Sequence, residues 1–150
     1  MKQDFLHRYR GSFSGILQWR DFDALWDRLH DVGDDAMAIW YVYRVGEAPP
    51  VLPVTPDKWH EFLNSVALQL KTGHKEDYCG LVYVDNLEQP SLIKIYDPDN
   101  MGVVCGFSNQ PPLPGWVLSQ LAPVDLLAIM VPTPKPWWRR ILPWAILPGL

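Results

Sequence analysis

Residues 21–45 read DFDALWDRLHDVGDDAMAIWYVYRV, and the hydrophobic period inside them changes from helical to extended. Phe22, Leu25, Trp26, Leu29 and Val32 follow the i, i+3, i+4, i+7, i+10 spacing of one helical stripe. Asp21 stands before that stripe as an N-cap and Gly33 after it as a stop. Residues 36–45 (AMAIWYVYRV) then concentrate aromatic and β-branched side chains and read as a central strand, buried on both faces or carrying an aromatic ridge. A helix followed at once by a strand sets the layered character of the chain.

The same reading extends outward in both directions. Upstream, residues 12–19 suit a strand bracketed by Gly11 and interrupted by Gly15, and Phe5, Leu6, Tyr9 and Phe13 suit a short packing segment. Downstream, Pro49, Pro50 and Pro53 mark a connection, and Thr55-Pro56 opens a second helix with a cap and a proline at its first position. Trp59, Phe62, Leu63, Val66 and Leu70 are its stripe and Gly73 its end. Residues 80–84, 92–96 and 103–107 are short apolar runs separated by turn residues, the pattern of an antiparallel meander. Residues 115–121 suit one or two helical turns, and residues 124–131 (VDLLAIMV) a last strand.

Together these elements predict an α+β fold. An antiparallel or mixed sheet of five or six strands carries two main helices, about 21–32 and 56–72, on one face. A compact domain over 1–133 is followed by a Trp/Pro/Arg-rich tail over 134–150. With 150 residues, 48% apolar and 20% charged, the chain can bury ~70% of its unfolded surface. No apolar run reaches eighteen residues and no apolar leader segment is visible, so a cytoplasmic location is the expectation.

Charge is uneven along the chain. The net charge is −4, but Lys135, Arg139 and Arg140 are the only charges of the tail, so the body is more acidic than the total implies. That argues against nucleic acid as a partner. Asp21, Asp23, Asp27, Asp31, Asp34 and Asp35 cluster around the first helix. They form either a solvated helix face or a docking surface over residues 21–35 for a basic target, as in an inhibitor or immunity-type protein.

Motifs that carry chemistry are few. Cys79 and Cys105 each precede a glycine on strands of the expected meander. Sequential strands would hold them two spacings apart, ~9–10 Å, too far for a disulfide and awkward for a shared zinc. His60 and His74 with these cysteines match no zinc spacing, so no metal or cofactor is expected. Residues 97–102 (DPDNMG) resemble the opening of a calcium loop, but Met101 stands at the fifth position and Ser108 at the twelfth, where a bidentate glutamate belongs, and a tight turn explains them. No G-x-S-x-G, Walker or G-x-G-x-x-G pattern occurs. A small-molecule site or active site remains open in an aromatic-lined pocket between the sheet and the second helix, near Trp59, Cys79, Asp97 and Cys105.

The tail, PKPWWRRILPWAILPGL, points outward most clearly. Pro143 and Pro148 forbid one continuous helix. Its pieces PWWRR and ILPW resemble, in composition, Trp- and Pro-rich membrane-active peptides of the indolicidin type. That resemblance covers about fifteen residues and implies Trp rings at headgroup depth with Arg139 and Arg140 facing anionic lipid. The alternatives are fold-back of Trp137, Trp138, Ile141 and Trp144 over the sheet, or insertion into a protein partner. The expected function is therefore a non-catalytic interaction or accessory protein. Its contact residues would be Trp137, Trp138, Arg139, Arg140 and Trp144, beside an aromatic strand face around Trp40, Tyr41 and Tyr43.

Overall fold

The computed structural model describes residues 2–73, 77–97 and 113–130. In chain order these form α1 (Lys2–Tyr9), β1 (Ser14–Gln18), α2 (Trp19–Gly33), β2 (Tyr41–Arg44), α3 (Pro56–Gly73), β3 (Tyr78–Val84), β4 (Leu92–Ile95), β5 (Trp116–Ser119) and α4 (Leu126–Met130). The strands make one five-stranded sheet in the order β1-β3-β4-β5-β2, with every neighbouring pair antiparallel. The architecture is α+β.

Register decides which side chains share a face. Ile16 opposes Val82, Val82 opposes Ile95, Val84 opposes Ile93, and Ile93 opposes Leu118. Directly opposed residues point to the same side, so these aliphatics make one continuous apolar surface. The helical stripes cover it: Phe22, Leu25, Trp26 and Leu29 of α2, and Trp59, Leu63, Val66 and Leu70 of α3, share its buried cluster. On the other side, Tyr83 opposes Lys94, and Val117 opposes both Lys94 and Tyr43. Phe5 and Tyr9 of α1, with Val124 and Leu126, complete a second buried cluster there.

Paired tryptophan bonds join the two long helices. Trp26 Nε1 donates to the Leu63 carbonyl at 2.8 Å, and Trp59 Nε1 donates to the Leu29 carbonyl at 2.8 Å. Trp59 also stacks on Trp40 with ring centroids 4.7 Å apart. Gly33 lies directly beneath this ring, since a Cβ there would stand 2.1 Å from Trp59 Cδ1. Its role is therefore close approach. Among the glycines described, only Gly46 and Gly80 have positive φ, so Gly33 does not end α2 by a left-handed turn, and the C-cap is Asp34 in a right-handed conformation.

Several elements depart from the sequence reading. The N-cap of α2 is Gln18, without a side-chain cap bond, because β1 runs directly into the helix. Asp21 falls inside the first turn, where its carboxylate still favours the helix dipole. The strand expected over 36–45 shrinks to Tyr41–Arg44 and stands at the sheet edge, pairing only with β5. The helical turns expected over 115–121 are the strand β5, whose four residues pair on both sides with β4 and β2. Pairing on two edges outweighs the weak local preference of so short a segment. The last strand expected over 124–131 is instead α4 at Leu126–Met130. Asp125 caps it: the Ala128 N–H donates to Asp125 Oδ1 at 3.1 Å and the Ile129 N–H to the Asp125 carbonyl at 3.2 Å. The third run of the expected meander, 103–107, and the whole tail lie outside the described residues.

Thr55 caps α3 as read, accepting the Lys58 N–H at 3.3 Å. Asp85 fixes the β3–β4 connection, its Oδ1 taking the N–H groups of Asn86, Ser91 and Leu92 at 2.9, 2.9 and 3.0 Å. Among the described residues no helix is long and apolar enough to cross a membrane.

Candidate functional site

A cleft of about 530 Å³ opens where the last turns of α3 meet the ends of β2, β4 and β5. Arg44 and Trp116 form one wall and are direct cross-strand partners. The Arg44 guanidinium lies over the Trp116 ring at 5.0 Å from its centroid, and Phe62 meets the same ring edge-on at 4.8 Å. Val66, Gln69 and Leu70 of α3 face them, and Tyr96 and Asp97 follow directly from β4. The Tyr96 ring meets Tyr83 edge-on at 5.5 Å, and burial, with Tyr83 adding to it, raises the Tyr96 hydroxyl above the ordinary tyrosine value.

Gly115 lines this cleft between Arg44 and Asp97. Its N–H donates to the Ile95 carbonyl at 2.9 Å and its carbonyl accepts the Val45 N–H at 3.0 Å, tying β4 to β2. A Cβ at Gly115 would stand 3.2 Å from Arg44 Nη1 and 3.8 Å from the Asp97 Cβ. Among the described residues no carboxylate forms an ion pair with Arg44. A guanidinium braced by an aromatic face, beside a side-chain amide and an apolar floor, is a set of groups suited to a small organic anion.

The residues singled out in the sequence fall in different places. Asp97 lines the cleft. Trp59 is 1% exposed near the opposite, N-terminal end of α3, held by Trp40 and the Leu29 carbonyl. Cys79 is a free, fully buried thiol of the helix-covered cluster. Burial pushes its pKa up, partly offset by the backbone N–H groups of Leu81 and Val82, so the reactive thiolate is disfavoured. Cys105, Trp137, Trp138, Arg139, Arg140 and Trp144 lie outside the described residues. Of the strand face, Tyr43 is buried with its hydroxyl oxygen accepting the Leu126 N–H at 3.1 Å, and Trp40 is 3% exposed.

The acidic cluster is partly engaged within the chain. Asp23 pairs with Lys71 at 2.6 Å, Asp34 with His60 at 2.7 Å, and Asp35 Oδ1 accepts the Met37 N–H at 2.9 Å. One arrangement escaped the sequence reading altogether. His30 and His60 face each other across α2 and α3 with their Nδ1 atoms 2.6 Å apart. Each histidine directly follows a residue of the Trp59–Leu29 bond, and that adjacency becomes visible only once the helix pairing is known. Arg44 and Trp116 were equally hidden, since their juxtaposition depends on the β2–β5 register.

Comparison of this chain with protein-family models, curated proteins and solved structures finds no match in any of the three.

Proposed function

We propose that this chain is a non-catalytic binding protein whose cleft beside Arg44 takes a small organic ligand with an acidic group and a flat apolar body. The observation that carries this reading is the Arg44 guanidinium over Trp116, without a carboxylate partner among the described residues, at the wall of a cleft of about 530 Å³. Gln69 supplies a neutral amide, and Val66, Leu70 and Ile95 an apolar floor. Such sites orient a ligand with few polar groups while apolar walls supply most of the contact. Asp97, which flanks Gly115 together with Arg44, disfavours a polyanion in the cleft.

The test is a ¹⁵N NMR titration with benzoate and, separately, benzylammonium. Benzoate should move the signals of Arg44, Gln69 and Trp116, and Arg44→Ala should abolish the effect. Equal shifts from both probes, or shifts scattered away from the cleft, would refute the reading.

A second reading, an accessory protein that docks on a protein partner or membrane surface, draws on a different observation. Met37, Ile39, Val51 and Leu52 are 86, 52, 86 and 74% exposed, in two segments that the Val54 N–H to Trp40 carbonyl bond of 2.9 Å holds together. Exposed apolar side chains grouped in this way mark contact surfaces. The Trp- and Arg-rich tail, with Trp137, Trp138, Arg139, Arg140 and Trp144, would add to that contact. Co-sedimentation of the full chain and a truncation ending at Thr133 with anionic and neutral vesicles separates the cases. Tail-dependent binding to anionic vesicles would support a membrane surface, whereas no difference between the two chains would remove the lipid role.

A further inference from the structure

The imidazoles of His30 and His60 meet in an arrangement that secondary structure alone does not demand. Their planes differ by 1° and their centroids are 4.9 Å apart, while the two Nδ1 atoms are only 2.6 Å apart. The nitrogen separation is shorter than the centroid separation by about one ring width. The rings therefore meet edge to edge in a shared plane, with the two nitrogens aimed at each other, and are not stacked face to face. Two nitrogens at this distance share a hydrogen that one ring donates to the other, and the same pair of nitrogens can bind a metal ion once that hydrogen is displaced.

The second bond of His60 selects its chemical state. His60 Nε2 lies 2.7 Å from Asp34 Oδ1, and a carboxylate oxygen only accepts, so Nε2 carries the proton. In the neutral ring, Nδ1 is then the lone-pair atom that points at His30. A carboxylate on the far nitrogen of a ligating histidine is the usual outer support of a metal site, fixing both tautomer and ring orientation. The two rings are also held on rigid elements, because the Trp59–Leu29 bond locks α3 against α2 one residue before each histidine.

We propose that His30 and His60 form a two-imidazole site for a first-row transition-metal ion such as Zn²⁺, bridging α2 and α3, with Asp34 as the orienting carboxylate. Among the described residues no group of three or more His, Cys, Asp or Glu side chains forms a metal cage, so water completes the coordination. Two nitrogens bound to one zinc are ~3.3 Å apart at Zn–N bonds of ~2.0–2.1 Å. The rings must therefore separate by ~0.7 Å and swing until both lone pairs converge on the ion that replaces the shared hydrogen, a movement that side-chain torsions at a half-buried helix edge can supply. Imidazole nitrogen favours zinc, copper or nickel over magnesium.

Thermal unfolding of the full chain with Zn²⁺ and with Mg²⁺ tests this. Saturating Zn²⁺ should raise Tm by ~5 °C through mass action on the native state, and Mg²⁺ should leave it unchanged. His30→Asn or His60→Asn should abolish the rise, and Asp34→Asn should weaken zinc affinity by ~10-fold or more. No rise in the wild-type chain, or an equal rise in both histidine variants, would overturn the proposal. Side-chain ¹⁵N spectra of the wild-type chain give a readout independent of variant folding. Zn²⁺ should move the His30 and His60 ring signals and spare His7, whereas a shift confined to other histidines would show that this pair holds only a proton.

Discussion

The two faces of the sheet are covered by different chemistry. The face under α2 and α3 is aliphatic, and its polar atoms are indole N–H groups that reach across to a helix carbonyl, as Trp26 does to Leu63 and Trp59 to Leu29. The face under α1 and α4 is built around tyrosine and lysine. Tyr43 caps α4 with its hydroxyl, and Lys94 places its ammonium 4.0 and 3.9 Å from the ring centroids of Tyr9 and Phe13. On the first face shape complementarity fixes position, and a misplaced atom has no room. On the second, position depends on polar and cation–π contacts that give way more gradually. The cleft opens on the first face at its end, where tight packing stops and Arg44 replaces an aliphatic neighbour.

The largest effect should come from Gly33→Ala. The added Cβ would stand 2.1 Å from Trp59 Cδ1 and 2.4 Å from Nε1, and that ring is held on its other sides by Trp40 and by its bond to Leu29. A loss of ~3 kcal/mol in urea unfolding is expected, at the upper end for overpacking. A loss below ~1 kcal/mol would mean that the two helices can slide apart, and the contrast between faces would fail.

Tryptophan substitutions sharpen the same contrast. Trp26→Phe and Trp59→Phe each remove a bonded indole N–H and leave a space, and should cost ~2 kcal/mol. Trp40 is as deeply buried, yet its Nε1 has no hydrogen-bond partner among the described residues. Trp40→Phe deletes an unsatisfied donor along with some contact area, so it should cost under ~1 kcal/mol. Equal losses at all three positions in the same unfolding series would show that ring volume alone governs this face.

Much of the first face could be read from the chain, and little of the second. The stripe Phe22, Leu25, Trp26, Leu29 and that of Trp59, Leu63, Val66, Leu70 are strongly periodic, and helical period survives any tertiary arrangement. By contrast, Trp116–Ser119 is too short for its period to declare itself, and its strand character comes from neighbours on both sides. Residues 124–130 held a usable sign, Asp125 before a run of helix-forming residues, which the apolar run itself obscured. The cleft was legible only through Asp97. Arg44 and Trp116, 72 positions apart, are joined by register alone, and His30 and His60 by the helix pairing.

On the second face the effects should be smaller. Tyr43→Phe removes the hydroxyl that accepts the Leu126 N–H and leaves the first turn of α4 without that partner. A cost of ~1 kcal/mol is expected, with faster amide exchange in Leu126–Met130 and little change in α2 or α3. Uniform acceleration across all helices would show that the two layers unfold as one and that their separation is only geometric.

The smallest effect concerns pH. Burial lowers the Lys94 ammonium from 10.5 to about 8, while the Tyr9 and Phe13 rings beside it favour the charged form and hold it in place. Between about pH 8 and pH 10 the unfolded chain keeps more protons at this group than the folded chain does, so stability rises with pH across that window. Tyr9, Tyr43 and Tyr96 act in the opposite sense, because burial raises their hydroxyls above 10.0 and their contribution is lost only at higher pH. The partial exposure of Lys94 reduces the rise to under ~1 kcal/mol. Urea unfolding of the wild-type chain and Lys94→Met at pH 8 and pH 10 should show the rise in the first and its loss in the second. A pH response unchanged by Lys94→Met would assign the titration to other groups and leave the aromatic contacts of Lys94 as its whole role on that face.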